Sequence, residues 1–318
     1  MTRDAQRFLI GFSLLVTLLA VLPLAVRNPY YLNILNVVGL NVLVVTGLNL
    51  LIGFAGHISL GHAGFFALGA YISGILTGSY GWPVWPTLVL GAGLVAGLAA
   101  LIGTPTLRLK GNYLVMATLG FNIIVTVFLV QLDDITGGPS GFVGIPAVPF
   151  FGTSLDTDIE FYWLVWGTAL AGLILARNLV HSRVGRALRA LHDSPLAAAA
   201  NGIPIESYKV RVFMLSAVYA SVAGSLYAHY FGIITPKTFD IFKSVELVTM
   251  CIVGGMGSLW GGLFGAAFLT PLPQLLHFFQ EYQDIFFGAV LLLILIFIPQ
   301  GLVGWLEDRR RGFRGSDS

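Results

Sequence analysis

Apolar residues in this chain come in runs of about twenty rather than in strict alternation. The runs at 8–26, 32–52, 62–78, 84–103, 113–132, 161–180, 212–232, 259–278 and 285–303 suit helices crossing a hydrocarbon core of about 30 Å. A further piece, 244–255, is short and holds Glu246. The pattern predicts an all-α, polytopic helical membrane protein with about ten transmembrane segments, one or two of them short and broken or re-entrant. An outer-membrane barrel would instead show segments of about ten alternating residues. The stretch "GFAGHISLGHAG" at 53–64 is dense in glycine and alanine and suits a second break. Lipid tolerates irregular backbone only where protein or a watery cavity surrounds it, so these two places are the candidates for the centre of the molecule.

Composition strengthens this reading. The 318 residues are 56% hydrophobic and only 10% charged, with a mean hydropathy of +0.85, which leaves little polar surface for a water-soluble globule. No polar run is long enough for a separate soluble domain, so residues 1–318 are expected to form one membrane domain. The single cysteine, Cys251, lies in "LVTMCIVGG" and reads as a small buried hydrophobe, with neither a disulfide nor a thiol metal site in prospect. The first run follows Arg3 and Arg7 and ends without an A-x-A-like cleavage site, so it reads as a retained anchor.

Charge sets orientation. Arg3 and Arg7, Arg108 and Lys110, the basic stretch 181–211 and the tail 305–318 with Arg309, Arg310 and Arg311 belong in the cytoplasm, whereas 133–160 carries Asp133, Asp134, Asp156, Asp158 and Glu160 and no basic residue. Both termini are then cytoplasmic. Parity requires 244–255 to cross.

Inside the spans, Asn36, Asn41, Asn49, Asn122, His229 and Glu246 are the polar candidates, and hydrogen bonding between helices accounts for most of them. A carrier driven by protons or sodium would need ionisable groups at that depth, which cost about 2.5–3.5 kcal/mol each. His57 and His62 would point about 140° apart on a helix and make a poor metal pair. H-E-x-x-H, G-x-S-x-G and G-x-x-x-x-G-K-[ST] are all missing, so no catalytic, cofactor or metal site is expected in this chain. Glycines at 93 and 97, and at 257, 261 and 265, sit at helix-packing spacing. "SLGHAGFF" and "SLWGGLF" resemble one another faintly.

The stretch 181–211 contains Arg183, Arg186, Arg189, Lys209 and Arg211. Val184, Leu188 and Leu191 form an apolar stripe at i, i+4, i+7. Ser194-Pro195 is a helix start, with a capping serine and proline at the first helical position. Gly202, followed by Pro204, is a stop. Residues 195–201 are thus expected to form a helix of about 10 Å, slim enough to enter a groove on a partner. Orientation and anionic lipid explain the arginines but not this helix.

"RALRALHDSPLAAAANGIPIESYKVRVFMLSAVYASVAGSLYA" resembles the cytoplasmic coupling loop and following span of the ABC-importer permeases for branched-chain amino acids. "GLNLLIGFAGHISLGHAGFFALGAY" (47–71), "TGGPSGFVGIP" (136–146) and "VGGMGSLWGGLFGA" (253–266) are similar to that family's other hallmark runs, in the same order. Within the family the chain looks like the second, M-type, permease. The resemblance implies a multi-pass subunit of a bacterial inner membrane that pairs with a sister permease, with two cytoplasmic ATPases binding ATP and Mg below and an extracytoplasmic solute-binding protein above. Its cargo would be a branched-chain or related amino acid, with no nucleic acid involved. The family's loop follows Ala-Ala-Glu-Ala-x-Gly-Ile. Ala197, Ala198, Ala200, Gly202 and Ile203 match, and Ala199 stands where the acidic residue is usual.

The expected ATPase-coupling residues are Arg186, Arg189, Ala198, Ala199 and Gly202. The expected pathway lining is Asn49, Gly53, Gly56, His57, Gly61, Gly254, Gly255 and Gly257. A urea or short-chain amide importer is the alternative within the class, and a stand-alone channel or secondary carrier the alternative outside it.

Overall fold

The computed structural model describes residues 3–275 except 27, 110, 151, 152 and 156, together with Gly288, Leu292, Gly301 and Gly304. In chain order the helices are α1 (Arg3–Ala25), α2 (Pro29–Asn49) with a π-helical extension (Leu50–Phe54), α3 (His62–Gly78), α4 (Val84–Thr106), α5 (Asn112–Gln131), the single turn α6 (Asp133–Thr136), α7 (Asp158–His181), α8 (Arg183–Asp193), α9 (Pro195–Ala200), α10 (Ile205–Phe231), α11 (Ile241–Gly254), α12 (Gly261–Leu269) and α13 (Leu272–Leu275). Four two-residue strands, β1 (Phe142–Val143), β2 (Pro149–Phe150), β3 (Thr153–Ser154) and β4 (Ile233–Ile234), tie loops together, β1 with β4 and β2 with β3.

Among the described residues six helices are long and apolar enough to cross a membrane: α1, α2, α4, α5, α7 and α10. That is fewer than the ten expected spans. α3 has 17 residues, α11 has 14 and α12 has 9. α11 stops at Gly255, whose φ of 116° is a conformation side-chain-bearing residues rarely adopt. The expected span 259–278 ends early, because α12 gives way at Thr270–Pro271 to α13. The expected span 285–303 lies outside the described residues apart from Gly288, Leu292 and Gly301. α10 begins at Ile205 behind Pro204, seven residues before its apolar run, because polar residues 206–211 can extend a helix beyond the lipid.

Side-chain contacts fix the helix directions. The Arg177 guanidinium near the end of α7 lies 4.2 Å over the Phe8 ring near the start of α1, while Tyr162 near the start of α7 donates to the Leu19 carbonyl. These two helices are antiparallel. Asn36 of α2 donates to the Asp158 carbonyl at the start of α7, so α2 and α7 run together. His62 and Ser73 of α3 meet Ser216 and His229 of α10 in the same order, and α3 and α10 run together the opposite way.

The bundle therefore has a basic end, with Arg108, Arg177, α8 and Lys209, and an acidic end, with Asp133, Asp134, Asp158 and Glu160. At the acidic end Thr157 and Glu160 form a reciprocal capping box that starts α7. Exposed Tyr30, Tyr31, Tyr80, Trp82 and Trp163 cluster at this end, where ring side chains favour the headgroup level.

The glycine pair and the glycine triplet singled out in the sequence separate here. Nothing in the described chain comes within 4 Å of where a Cβ on Gly93 or Gly97 would stand, so that pair is unpacked. A Cβ on Gly265 would meet the Met250 carbonyl, and one on Gly261 the Gly255 carbonyl, so α11 and α12 touch backbone to backbone. Gly265→Ala is expected to lower the melting temperature of the detergent-purified chain sharply. Gly97→Ala should leave it unchanged or raise it, by up to about 1 kcal/mol of helix propensity. Equal melting of the two variants would contradict this packing.

Candidate functional site

At the basic end the expected short helix is present as α9. The Ser194 hydroxyl accepts from the Ala197 N–H at 3.3 Å. At the other end Gly202, with φ 75°, lets the chain turn back, and the N–H groups of Gly202 and Ile203 donate to the carbonyls of Ala199 and Ala198. This closure is how a glycine after the last turn satisfies orphan carbonyls. Ala198 faces inward and is buried, whereas Ala199 and Ala200 are exposed and Leu196 is 86% exposed. The rod thus presents an apolar, small-residue face outward.

α8 connects the rod to the bundle. Leu188 and Leu191 are buried and Val184 is half-buried, as the stripe predicts, while Arg183 and Arg186 are exposed. Arg189 has a use the sequence did not suggest: its guanidinium donates to the Val180 carbonyl at 2.7 Å, closing the end of α7. His192, in the last turn of α8, sits against Gly56, where an added Cβ would stand 2.6 Å from its Nδ1. His57 follows, beyond the end of α2. Burial, chiefly, with Lys209 and His192 nearby and against a backbone hydrogen bond at Gly56, holds its imidazole below the usual histidine range.

The two irregular segments meet. The Asn49 amide donates to the Ser258 carbonyl at 2.6 Å and accepts from the Gly257 N–H at 3.0 Å, which satisfies both ends of a buried side chain and two turn groups at once. A Cβ on Gly53 would collide with the Gly257 backbone nitrogen and with Asn49 Oδ1. Phe8 stacks obliquely on Trp260 at 5.3 Å and covers the junction. Of the expected pathway residues, Asn49, Gly61, Gly254 and Gly255 are buried, Gly53 and His57 are half-buried, and Gly56 and Gly257 are exposed.

The other polar candidates are mostly helix ties. Asn41 donates to Thr270 Oγ1. His229 pairs with the Pro146 carbonyl and Ser73. Glu246 is bridged by Lys243, 3.0 Å away and three residues earlier on α11, a spacing that was readable in the sequence. Asn122 is the exception: it is 1% exposed, and neither its amide nitrogen nor its oxygen has a partner among the described residues.

Comparison with known proteins adds a family match and three relatives. A family model described as "Branched-chain amino acid transport system / permease component" matches residues 30–295. The high-affinity branched-chain amino acid transport system permease protein LivM of Escherichia coli K12 is 32% identical over 259 residues, covering 74% of this chain and 61% of that protein. LivH of Salmonella typhimurium is 30% identical over 191 residues, 57% of this chain and 61% of that protein. The autoinducer 2 import system permease protein LsrC of Salmonella paratyphi B is 26% identical over 232 residues, 70% of this chain and 64% of that protein. The chain thus spans about three fifths of the length of the curated relatives it matches. No solved structure matches it.

Proposed function

Because the chain belongs to the branched-chain amino acid transport system permease family, we propose that it is the M-type membrane subunit of a binding-protein-dependent, ATP-driven importer of branched-chain or related amino acids. It pairs with a sister permease, stands on two ATPase subunits that bind ATP and Mg, and receives its cargo from an extracytoplasmic binding protein. It performs no chemistry itself. The basic end lies in the cytoplasm and the acidic end outside. Ten crossings, the six long helices completed by shorter ones, bring both termini to the cytoplasmic face of a bacterial inner membrane.

The observation that carries this reading is α9, a capped rod whose Leu196 projects into solvent while α8 anchors it to the core. Docked in a groove of the ATPase, the rod passes the ATPase's movement through α8 and His192 to Gly56, and so to the break between α2 and α3. Arg186 and Ala199 face the ATPase. Arg189 acts by keeping α8 fixed to α7. Gly56, His57 and Gly257, the accessible members of the expected lining, form the cytoplasmic mouth of the pathway, and the buried glycines hold its walls.

Co-expressed with its ATPase, the chain should purify as a complex. Gly202→Val, which cannot hold the positive φ without strain, and Arg186→Glu should leave hydrolysis running while uptake falls. Tight coupling in both variants would contradict the lever.

A further inference from the structure

α3 begins inside the bundle rather than at its edge. Its first residue, His62, meets Ser216, eleven residues and so about 16 Å into α10. Its opening turn lies against α5 at Asn122, ten residues or about 15 Å into that helix. A helix start inside the bundle directs its free N–H groups and the positive end of its dipole at buried surroundings rather than at water. Two hydroxyls on other helices now accept from N–H groups at this start, one from the residue ahead of the cap and one from the first turn itself. Thr118 Oγ1 on α5 takes the Leu60 N–H at 3.0 Å, and Ser244 Oγ on α11 takes the Ala63 N–H at 3.2 Å.

Asn122 points at the same turn. A Cβ on Gly64, the third residue of α3, would stand 3.1 Å from Asn122 Oδ1, and the amide is buried with no partner among the described residues. A buried amide left unpaired destabilises the fold; each of its five polar fellows singled out in the sequence has at least one partner, Asn36 through its amide nitrogen alone. One side of the turn is apolar: Phe65 packs on Phe121 at 4.7 Å and on Phe213 at 5.4 Å between ring centres.

We propose that the first turn of α3, with Asn122, Thr118 and Ser244 around it, is a transient site for the carboxylate of the transported amino acid, whose aliphatic side chain rests on Phe65, Phe121 and Phe213. Movement of α5 or α11 away from α3 withdraws the two hydroxyls and frees the N–H groups for the carboxylate, with Asn122 donating its amide N–H. Donors without a lysine or arginine hold an anion weakly, which suits a site that must also release it. This assignment rests on the importer reading and adds where the cargo is held.

The test uses the complete complex, with sister permease, ATPases and binding protein, in proteoliposomes supplied with radiolabelled leucine. Asn122→Leu should lower uptake about tenfold or more, the worth of one hydrogen bond to a charged group, with ATP hydrolysis kept and the melting temperature of the complex unchanged or raised. Asn122→Asp, which sets a carboxylate against the cargo's own, should lower uptake at least as far. Retained uptake in Asn122→Leu overturns the site, and so does a fall in uptake that only tracks a fall in melting temperature. Uptake kept or raised in Asn122→Asp alone overturns the carboxylate assignment. A parent complex that takes up no leucine refutes the importer reading instead.

Discussion

Leu196→Asp is expected to reduce ATP-coupled uptake about 100-fold, the effect of losing one apolar anchor at the centre of a protein interface, while the permease still folds. The side chain is 86% exposed, so the fold gains little from it and loses little when it becomes charged. In the proposed docked complex the same position would be desolvated, and an aspartate there would bury an unpaired charge. Co-purification of the ATPase should drop with uptake. The neighbouring Ala198→Asp makes the opposite comparison, since Ala198 is buried against the chain's own core and its replacement should harm the permease before any partner is added. If Leu196→Asp keeps both uptake and the ATPase, α9 is not the point of attachment.

The second large effect is expected at Gly53. A valine there would push two methyl groups into the Gly257 backbone and the Asn49 amide, at the one place where the two irregular segments hold each other. Breaking that pairing strands the buried Asn49 amide, and a buried unsatisfied polar group costs roughly 1–3 kcal/mol. A membrane protein of ordinary marginal stability should then fail to accumulate in folded form. Asn49→Ala removes the same pairing without the clash and should yield folded protein with a lower melting temperature. A Gly53→Val chain that melts like the parent would contradict the junction.

Local features were legible in the sequence because their causes are local. Ser194-Pro195 and Gly202 bracket α9, since a capping hydroxyl, a proline lacking an N–H and a residue free to adopt positive φ each act within one turn. The glycine-dense runs at 53–64 and 254–262 mark two breaks for the same reason. Both "SLGHAGFF" and "SLWGGLF" open helices, α3 and α12, that leave such a break.

What the sequence hid depends on contacts across the fold. Asn41 finds Thr270 across 229 positions and Asn49 finds Ser258 across 209, so nothing near either asparagine distinguishes it from Asn122, which has no side-chain partner among the described residues. Gly93 and Gly97 have the spacing of a packing motif, and only the absence, among the described residues, of a neighbour at that face separates them from Gly261 and Gly265. The number of long spans was over-read for a related reason. The apolar runs around α11 and α12 continue through Gly255 and Pro271, where backbone conformation rather than hydrophobicity ends the helix.

The most direct test of the central claim is leucine accumulation in proteoliposomes holding the full complex, measured with ATP inside and a proton ionophore present. Accumulation that requires ATP, requires the ATPase subunits and is indifferent to the ionophore is the predicted result. Accumulation that persists without ATP and collapses with the proton gradient would contradict the account.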